Sequence, residues 1–229
     1  MKRVKLAVFD CDGTLVDSQY SIVTCMNHAF DTHNVPRVSE EDIRRVIGLP
    51  LLTAITTLTP DTPGKLIEDI KCAFGDMWNH IRETEGINEP LFPGLPLILN
   101  QLEEDGWLLG IATGKSLNGL RVTLEKHNIL ERFVTLQTSD RARGKPNPEM
   151  LERAMREVGV NSTETIMIGD TTFDMEMARN ADVTPVGVSW GYHNSQELRE
   201  SGAYTVIDSY SELPDVLTEW ILSRSTNIG

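Results

Sequence analysis

Two acidic side chains lie two residues apart near the start of the chain. Asp10 and Asp12 follow the apolar run Val4–Phe9, and Gly13 comes directly after them. The run has the length and composition of a buried strand. Like charges this close repel unless a cation or a shared proton compensates. The loop is therefore either a polar turn, in which Gly13 takes a positive φ, or a site where two carboxylates bind a cation and move protons.

Further polar side chains follow later apolar runs. Thr113 and Gly114 come after Leu108–Ala112, and Asp170 comes just after Thr165–Ile168. In parallel sheets, ligands bind in the crevice beyond the carboxyl ends of the strands. If these runs are strands of one parallel sheet, we expect their loops to meet the Asp10 loop at one edge.

Each of these groups also has an ordinary structural interpretation. Asp170 or Thr171 can cap a helix with Asp174 in its first turn, and Thr113 can cap the helix that follows it. Lys145 precedes a proline that restricts the backbone, which would hold it more tightly than most lysines. Surface lysines are nevertheless usually solvated. The alternatives stay open for each residue taken alone.

As a set, these residues are typical of phosphoryl transfer. Asp10, Asp12 and Asp170 at one edge suit Mg²⁺, which prefers oxygen ligands and is usually held by carboxylates and substrate phosphate. Thr113 and Gly114 at a helix N-terminus would form an anion site. One carboxylate can attack phosphorus and carry the phosphoryl group, while the other protonates the leaving oxygen and later deprotonates water.

The segments that would position these groups alternate between strands and helices. Helical patterns separate most of the apolar runs, and this alternation predicts an α/β fold whose parallel sheet has helices on both faces. The predicted strands are Val4–Phe9, Leu108–Ala112, Val134–Gln137, Thr165–Ile168, Pro185–Val188 and Thr205–Ile207.

One long segment interrupts the alternation. Residues 17–88 show helical patterns and no convincing strand, with Ser39 as a candidate N-cap. We therefore expect an inserted α-helical cap subdomain over residues 17–88 and a catalytic core formed by residues 1–16 and 89–229.

The composition limits the possible partners and compartment. The 229 residues carry a formal net charge of −13, which argues against nucleic acid or an anionic membrane as a partner. No apolar run is long enough to span a membrane, and the start of the chain lacks the pattern of a signal peptide. The three cysteines, Cys11, Cys25 and Cys72, indicate reduced thiols in a cytoplasmic protein. We expect Cys11 to be inert because neighbouring carboxylates raise a thiol pKa.

Four segments resemble the motifs of the haloacid dehalogenase superfamily, in the same order and with similar spacing over essentially the whole chain. They are Asp10–Thr14, Thr113-Gly114, Lys145-Pro146 and Gly169–Asp174. The resemblance implies a Rossmann-like core, and the helical insert resembles the C1-type cap of the phosphoglycolate phosphatase and β-phosphoglucomutase branch. Two further segments resemble the phosphoglycolate phosphatase-like group more closely, namely Gly48–Leu51 and Gly187–Gly191.

The resemblance also implies roles for the acidic residues. Asp10 would be the nucleophile and a metal ligand. Asp12 would be the general acid and base and would bind Mg²⁺ through its backbone carbonyl. Asp170 would be a further metal ligand. Asp174 would not be a ligand itself but would stabilise the bound metal or Lys145.

The remaining site residues would handle the phosphate. By resemblance, Thr113 and Gly114 would bind the transferring phosphoryl group and Lys145 would neutralise it. The cap would close over a small phosphorylated metabolite and select it. Arg44, Arg45 and His28 are candidates for that selection, or are surface and packing groups.

The leading hypothesis is a Mg²⁺-dependent phosphatase. Asp12 argues against dehalogenation, because dehalogenases of this superfamily lack the second Asp. A sugar phosphomutase that uses the same aspartyl-phosphate is an alternative, since mutases differ mainly in their cap contacts. A non-catalytic binding or regulatory protein is a second alternative, but it would be expected to have lost Asp10, Asp12 or Lys145, and all three are present.

Overall fold

The computed structural model describes residues 4–84 and 86–225. A six-stranded sheet in the order β3-β2-β1-β4-β5-β6 forms its centre, and every neighbouring pair is parallel. The predicted parallel α/β architecture is therefore confirmed. The strands are β1 Lys5–Phe9, β2 Trp107–Thr113, β3 Phe133–Thr138, β4 Thr165–Gly169, β5 Thr184–Val188 and β6 Thr205–Ile207.

Ten α-helices complete the described part of the chain. The first four follow β1 without an intervening strand, and the others cover the sheet. The helices are α1 Gln19–Thr32, α2 Glu40–Arg45, α3 Leu51–Leu58, α4 Gly64–Thr84, α5 Leu95–Glu104, α6 Leu117–Lys126, α7 Glu149–Val158, α8 Thr172–Asn180, α9 Ser195–Glu200 and α10 Leu213–Ser225.

The sheet is covered on both faces, and four of the five residues of β1, Leu6–Phe9, are apolar. Ala7 and Phe9 of β1 belong to one buried cluster, while Leu6 and Val8 belong to another. All four side chains are fully buried. This alternation follows the two-residue period of a strand, and burying both faces is the main source of stability for such a sheet.

The register brings the ends of three strands to the same edge. Phe9 pairs with Ile111 of β2 on one side and with Ile168 of β4 on the other. The Asp10 N–H then donates to the Ile168 carbonyl at 2.9 Å. The loop after β1 therefore begins level with the end of β4. It also lies beside Thr113, which is the last residue of β2 rather than the first residue after it.

Helices α1–α4 pack around an apolar core of their own. Met26, Phe30, Ile43, Ile55 and Ile70 lie in this core, each no more than 1% exposed. The described residues between 17 and 88 contain no strand, as the sequence patterns predict. Ser39 is confirmed as an N-cap, since its side chain accepts a hydrogen bond from Asp42 N–H.

Helices α1–α4, within residues 17–88, are called the helical segment below. The two connections between this segment and the sheet run side by side. Val16 and Leu91 form an isolated bridge, and Asp17 N–H donates to the Pro90 carbonyl at 2.9 Å. This arrangement is what an insertion between β1 and α5 requires. The division into a core of residues 1–16 and 89–229 and a cap of residues 17–88 stays our proposal. No helix in the described ranges has the length and apolar character needed to cross a membrane.

Candidate active site

Asp10 is completely buried at the end of the central strand. Its Oδ1 accepts a hydrogen bond from Cys11 N–H at 2.7 Å and lies 2.8 Å from Lys145 Nζ. Burial raises the pKa of Asp10 to about 7, although Lys145 acts in the opposite direction, and the Asp174 carboxylate raises it further. Its other oxygen, Oδ2, is buried without a hydrogen-bond partner among the described residues.

Lys145 is buried between two carboxylates rather than solvated. Its ammonium lies 2.8 Å from Asp10 Oδ1 and 2.6 Å from Asp174 Oδ1, and all three side chains are 0% exposed. Burial alone lowers the pKa of a lysine, but here the pKa of Lys145 is raised because the two carboxylates outweigh burial. A permanent positive charge is thus fixed beside Asp10.

Asp174 combines both of the roles considered for it. Its Oδ2 accepts hydrogen bonds from Thr171 N–H at 3.1 Å and from Thr171 Oγ1 at 2.7 Å, while its own N–H donates to Thr171 Oγ1. These contacts form a capping box at the start of α8. Its Oδ1 is turned to Lys145. The helix cap therefore orients the carboxylate that pairs with the lysine.

Asp170 is held from two other loops. Thr14 Oγ1 donates to its Oδ1 at 2.8 Å, and Tyr192 N–H donates to its Oδ2 at 2.9 Å. Burial raises the pKa of Asp170 well above its usual value, and the nearby carboxylates of Asp10 and Asp174 raise it further. A Cβ on Gly191 would lie 2.1 Å from Asp170 Cβ, so this close approach requires glycine.

The buried acids fit a divalent cation. Asp10, Asp170 and Asp174 each place a carboxylate oxygen within 4.8 Å of the other two. Three carboxylates this close are stable in ionised form only with compensating positive charge, and Lys145 supplies a single charge. Carboxylate oxygens are the ligands that a hard cation prefers, so the three acids suit such an ion.

The predicted ligand set was Asp10, Asp12 and Asp170, and the structure groups two of these carboxylates with Asp174 instead of Asp12. The Asp12 carboxylate has other partners, described next. Coordination through the Asp12 backbone carbonyl stays a prediction, as do the other assigned site roles.

Asp12 is fixed by two donors that the sequence patterns did not identify. Ser18 Oγ and Lys115 Nζ each lie 2.5 Å from Asp12 Oδ1. Lys115 Nζ also lies 3.0 Å from Glu89 Oε1. Burial alone would lower the pKa of Lys115, but Asp12 and Glu89 outweigh it and raise the pKa well above its usual value. Lys115 thus stays charged between two carboxylates.

In the loop after β2, the residue that caps the following helix is not the residue predicted to bind phosphate. Ser116, and not Thr113, is the N-cap of α6, because its Oγ accepts from Gly119 N–H at 3.3 Å. Thr113 is 1% exposed, and its Oγ1 accepts from Lys115 N–H at 3.2 Å. A Cβ on Gly114 would lie 2.6 Å from the carbonyl oxygens of Gly48 and Leu49, so the helical segment comes close to this loop.

A cavity of about 950 Å³ lies between the helical segment and the loop after β2. Asp12, Lys115 and Trp78 line it. The sequence candidates for substrate selection are not among its lining residues. Arg44 pairs with Glu40, and Arg45 pairs with Glu197. His28 contacts Thr32 on its own helix.

The surroundings of Cys11 fit the inert thiol expected from the sequence. The thiol is completely buried, and burial raises its pKa well above the usual value, with Asp12 adding to the effect. A thiol held protonated in this way is a poor nucleophile.

The chain is similar to known proteins over nearly its whole length. The chain is 32% identical over 213 residues to the probable phosphatase IndB of Dickeya dadantii, covering 91% of each chain. It is 29% identical over 219 residues to the phosphoglycolate phosphatase of Vibrio parahaemolyticus, covering 93% of this chain and 96% of that one. The crystal structure of a hydrolase from Pseudomonas syringae superposes with a TM-score of 0.82 at 26% identity, covering 94% and 98% of the two chains.

A family model supports the same assignment. The model described as haloacid dehalogenase-like hydrolase matches residues 7–188, which include Asp10, Thr113, Lys145 and Asp170. The match spans well over half of the chain, and relatives of similar length are named phosphatases. The chain therefore belongs to the haloacid dehalogenase-like hydrolase family, as a phosphatase that acts on phosphoric monoesters.

Proposed function

We propose that this phosphatase is Mg²⁺-dependent and hydrolyses a small phosphomonoester through an aspartyl-phosphate on Asp10. The observation that supports this most strongly is the difference between the surroundings of the two oxygens of the Asp10 carboxylate. Its Oδ1 is held by Cys11 N–H and Lys145, whereas its buried Oδ2 has no hydrogen-bond partner in the described ranges. One oxygen is thus fixed and the other is available to react.

The metal would be held by Asp10 and Asp170, with the Asp12 backbone carbonyl as a further ligand and Asp174 close by. When bound, Mg²⁺ would offset the repulsion between the anionic nucleophile and the phosphate dianion. The chain prepares this site by holding Asp170 with Thr14 and Tyr192. The carboxylates then need little rearrangement when the cation binds.

The first chemical step would be attack of Asp10 Oδ2 on phosphorus. The bond from phosphorus to the substrate oxygen breaks, and Asp12 gives its proton to that leaving oxygen. Lys145, beside Asp10, would neutralise charge on the transferring phosphoryl group, and Thr113 and Gly114 would hydrogen-bond it.

The second step would release phosphate. Asp12, now ionised, takes a proton from a water molecule as that water attacks phosphorus of the aspartyl-phosphate. The bond from phosphorus to Asp10 breaks, and the carboxylate and protonated Asp12 are regenerated. One water is consumed for each phosphomonoester, so the products are an alcohol and inorganic phosphate.

The substrate is proposed to be a small phosphorylated metabolite, either similar to phosphoglycolate or a sugar phosphate. The phosphoglycolate phosphatase from Vibrio parahaemolyticus supports the first option by similarity. The cavity of about 950 Å³ supports the second, because it exceeds what a two-carbon leaving group fills. The expected cytoplasmic location stays a prediction.

The test is product analysis with a panel of 2-phosphoglycolate, glycerol 3-phosphate and hexose phosphates. We expect inorganic phosphate and the free alcohol in equal amounts, and no turnover by Asp10→Asn. Far-ultraviolet circular dichroism of Asp10→Asn checks that the variant is folded. An isomeric sugar phosphate as the sole product would instead identify a mutase, and substantial turnover by Asp10→Asn would refute the role of Asp10.

A further inference from the structure

Lys115 is a buried cation that contacts residues from three separate parts of the chain. It follows β2 and lies 2.5 Å from Asp12 Oδ1 in the loop after β1. It also lies 3.0 Å from Glu89 Oε1, where the chain returns from the helical segment. The exposed fractions of the three side chains are 10% for Lys115, 8% for Asp12 and 3% for Glu89.

Glu89 is itself held firmly in place. Thr123 Oγ1 donates to its Oε2 at 3.0 Å, and His127 Nε2 lies 2.7 Å from its backbone carbonyl. Both partners belong to α6 or follow it directly. Lys115 is therefore anchored on one side by a carboxylate that cannot move without disturbing α6, and this anchor makes the direction of its ammonium well defined.

The contacts of Asp12 distinguish its two oxygens. Lys115 and Ser18 both bind Oδ1, whereas Oδ2 has no hydrogen bond among the residues that the structure describes. Asp12 also lines the cavity between the helical segment and the sheet. Two donors on one oxygen fix the rotation of the carboxylate and leave Oδ2 as the oxygen that can carry the reacting proton.

The same ammonium contacts the helical segment. Lys115 Nζ lies 5.2 Å from the centroid of the Trp78 ring on α4, which is a cation–π distance. Trp78 in turn stacks on Phe74 of the same helix, with ring centroids 6.0 Å apart. The position of α4 is thus connected to Asp12 through one side chain.

We infer that Lys115 is a positioning residue for proton transfer by Asp12. It holds Oδ1 so that Oδ2 faces the cavity, and its contact with Trp78 makes that orientation depend on the position of α4 over the site. This inference rests on the proposed function, because it assumes that Asp12 protonates the leaving oxygen.

The role predicts a dependence on the leaving group. An alkoxide is strongly basic and leaves slowly unless it is protonated, whereas p-nitrophenolate is weakly basic and leaves without a proton. Loss of the positioning residue should therefore slow phosphoryl transfer from alkyl phosphates much more than from p-nitrophenyl phosphate. The ratio kcat/KM is the appropriate measure, because it covers the steps up to the aspartyl-phosphate and excludes its hydrolysis, which both substrates share.

The main variant is Lys115→Met, with kcat/KM measured for p-nitrophenyl phosphate and for the alkyl phosphate that wild type turns over fastest in the panel. General acid–base catalysis contributes roughly 10²–10⁴-fold. We expect kcat/KM for the alkyl phosphate to fall by about 10-fold to 100-fold, and that for p-nitrophenyl phosphate by less than about 3-fold. Lys115→Arg should restore most of the alkyl phosphate activity, because it also places a cation beside Asp12.

Two controls separate positioning from general loosening. Lys126→Met removes a lysine of α6 that donates to the Ile87 carbonyl, close to Glu89 in the chain, but has no contact with Asp12. It should change both kcat/KM values by the same small factor. If Lys115→Met does not fold, the double variant Lys115→Met, Glu89→Gln removes the buried Glu89 charge as well and should show the same selective loss.

Equal losses for the two substrates in folded Lys115→Met, or the lack of rescue by Lys115→Arg, would overturn the inference. Failure of the proposed function would look different. In that case wild type would hydrolyse neither substrate, or Asp10→Asn would stay active, whatever residue occupies position 115.

Discussion

Lys145 Nζ lies 2.6 Å from Asp174 Oδ1, while Asp174 Oδ2 closes the capping box of α8 with Thr171. The start of a helix thus determines where a buried ammonium is held beside Asp10. A single carboxylate supplies both contacts, so the local fold of α8 and the electrostatics of the site depend on the same residue.

Asp174→Asn tests this dual role. The amide has one carbonyl oxygen and no negative charge, so it cannot both cap α8 and balance Lys145. We expect kcat to fall by about 10-fold to 100-fold, since a displaced charge no longer stabilises the transition state. Steady-state kinetics with the best substrate of the panel measures this.

The matched control is Thr171→Ala. Loss of an N-cap hydroxyl costs about 1 kcal/mol in the free energy of unfolding, but the Asp174–Lys145 pair is retained. We expect urea denaturation to show that loss with kcat within a few-fold of wild type. A wild-type kcat in Asp174→Asn would show that Lys145 does not need this partner.

Metal binding can be followed without measuring activity. A cation that binds only the folded state stabilises it by mass action, so Mg²⁺ should raise Tm and EDTA should reverse the effect. Asp170→Asn should remove most of the shift, because the carboxylate held by Thr14 and Tyr192 is lost. Glu157→Gln, remote from the cluster, should keep it. An unchanged Mg²⁺ shift in Asp170→Asn would exclude Asp170 as a ligand.

His193, in the loop after β5, joins the helical segment to the start of α8, and this contact should depend on pH. Its Nδ1 accepts from Thr172 N–H at 3.1 Å, and Nε2 lies 3.0 Å from the Arg45 carbonyl. Only the neutral ring can accept at Nδ1 while donating at Nε2. Burial lowers the pKa of His193 below 6.5, and the nearby Arg45 charge adds to this, although the hydrogen bond to the Arg45 carbonyl opposes it.

The sign of the effect follows from linkage. Below pH 6.5 the unfolded chain binds a proton at this position before the folded chain does, so the free energy of unfolding falls as the pH is lowered through that region. We expect His193→Gln to reduce this pH dependence between about pH 5 and 7, as measured by urea denaturation across that range. An unchanged slope would show that His193 titrates alike in both states.

Patterns of local sequence predicted the parallel sheet and the meeting of the loops that follow β1 and β4. Apolar runs that end in Asp10 and Asp170 are strands because burial on both faces favours such runs. Because the strands are parallel, their carboxyl ends lie at the same edge of the sheet. Pro146 drew attention to Lys145, and the motif resemblance gave it a role at the site. Its contacts with Asp10 and Asp174 join loops that lie far apart in the chain.

The residues that were missed depend on packing between distant segments. Nothing near Lys115 in the sequence indicates that it meets Asp12, Glu89 and Trp78, because those contacts exist only after the helical segment has folded against the sheet. Arg44 was a reasonable candidate for substrate selection by residue type, but its guanidinium pairs with Glu40 on the same helix. Charge alone does not predict which side of a helix faces a cavity.

The central claim is that Asp10 carries the phosphoryl group during turnover. Rapid acid quench of wild type mixed with substrate and Mg²⁺, followed by mass spectrometry of proteolytic peptides, tests it directly. We predict one added phosphoryl group on the peptide that contains Asp10, removable by hydroxylamine and absent in Asp10→Asn. Rapid phosphate release with no such adduct, or an adduct on another residue, would contradict the account.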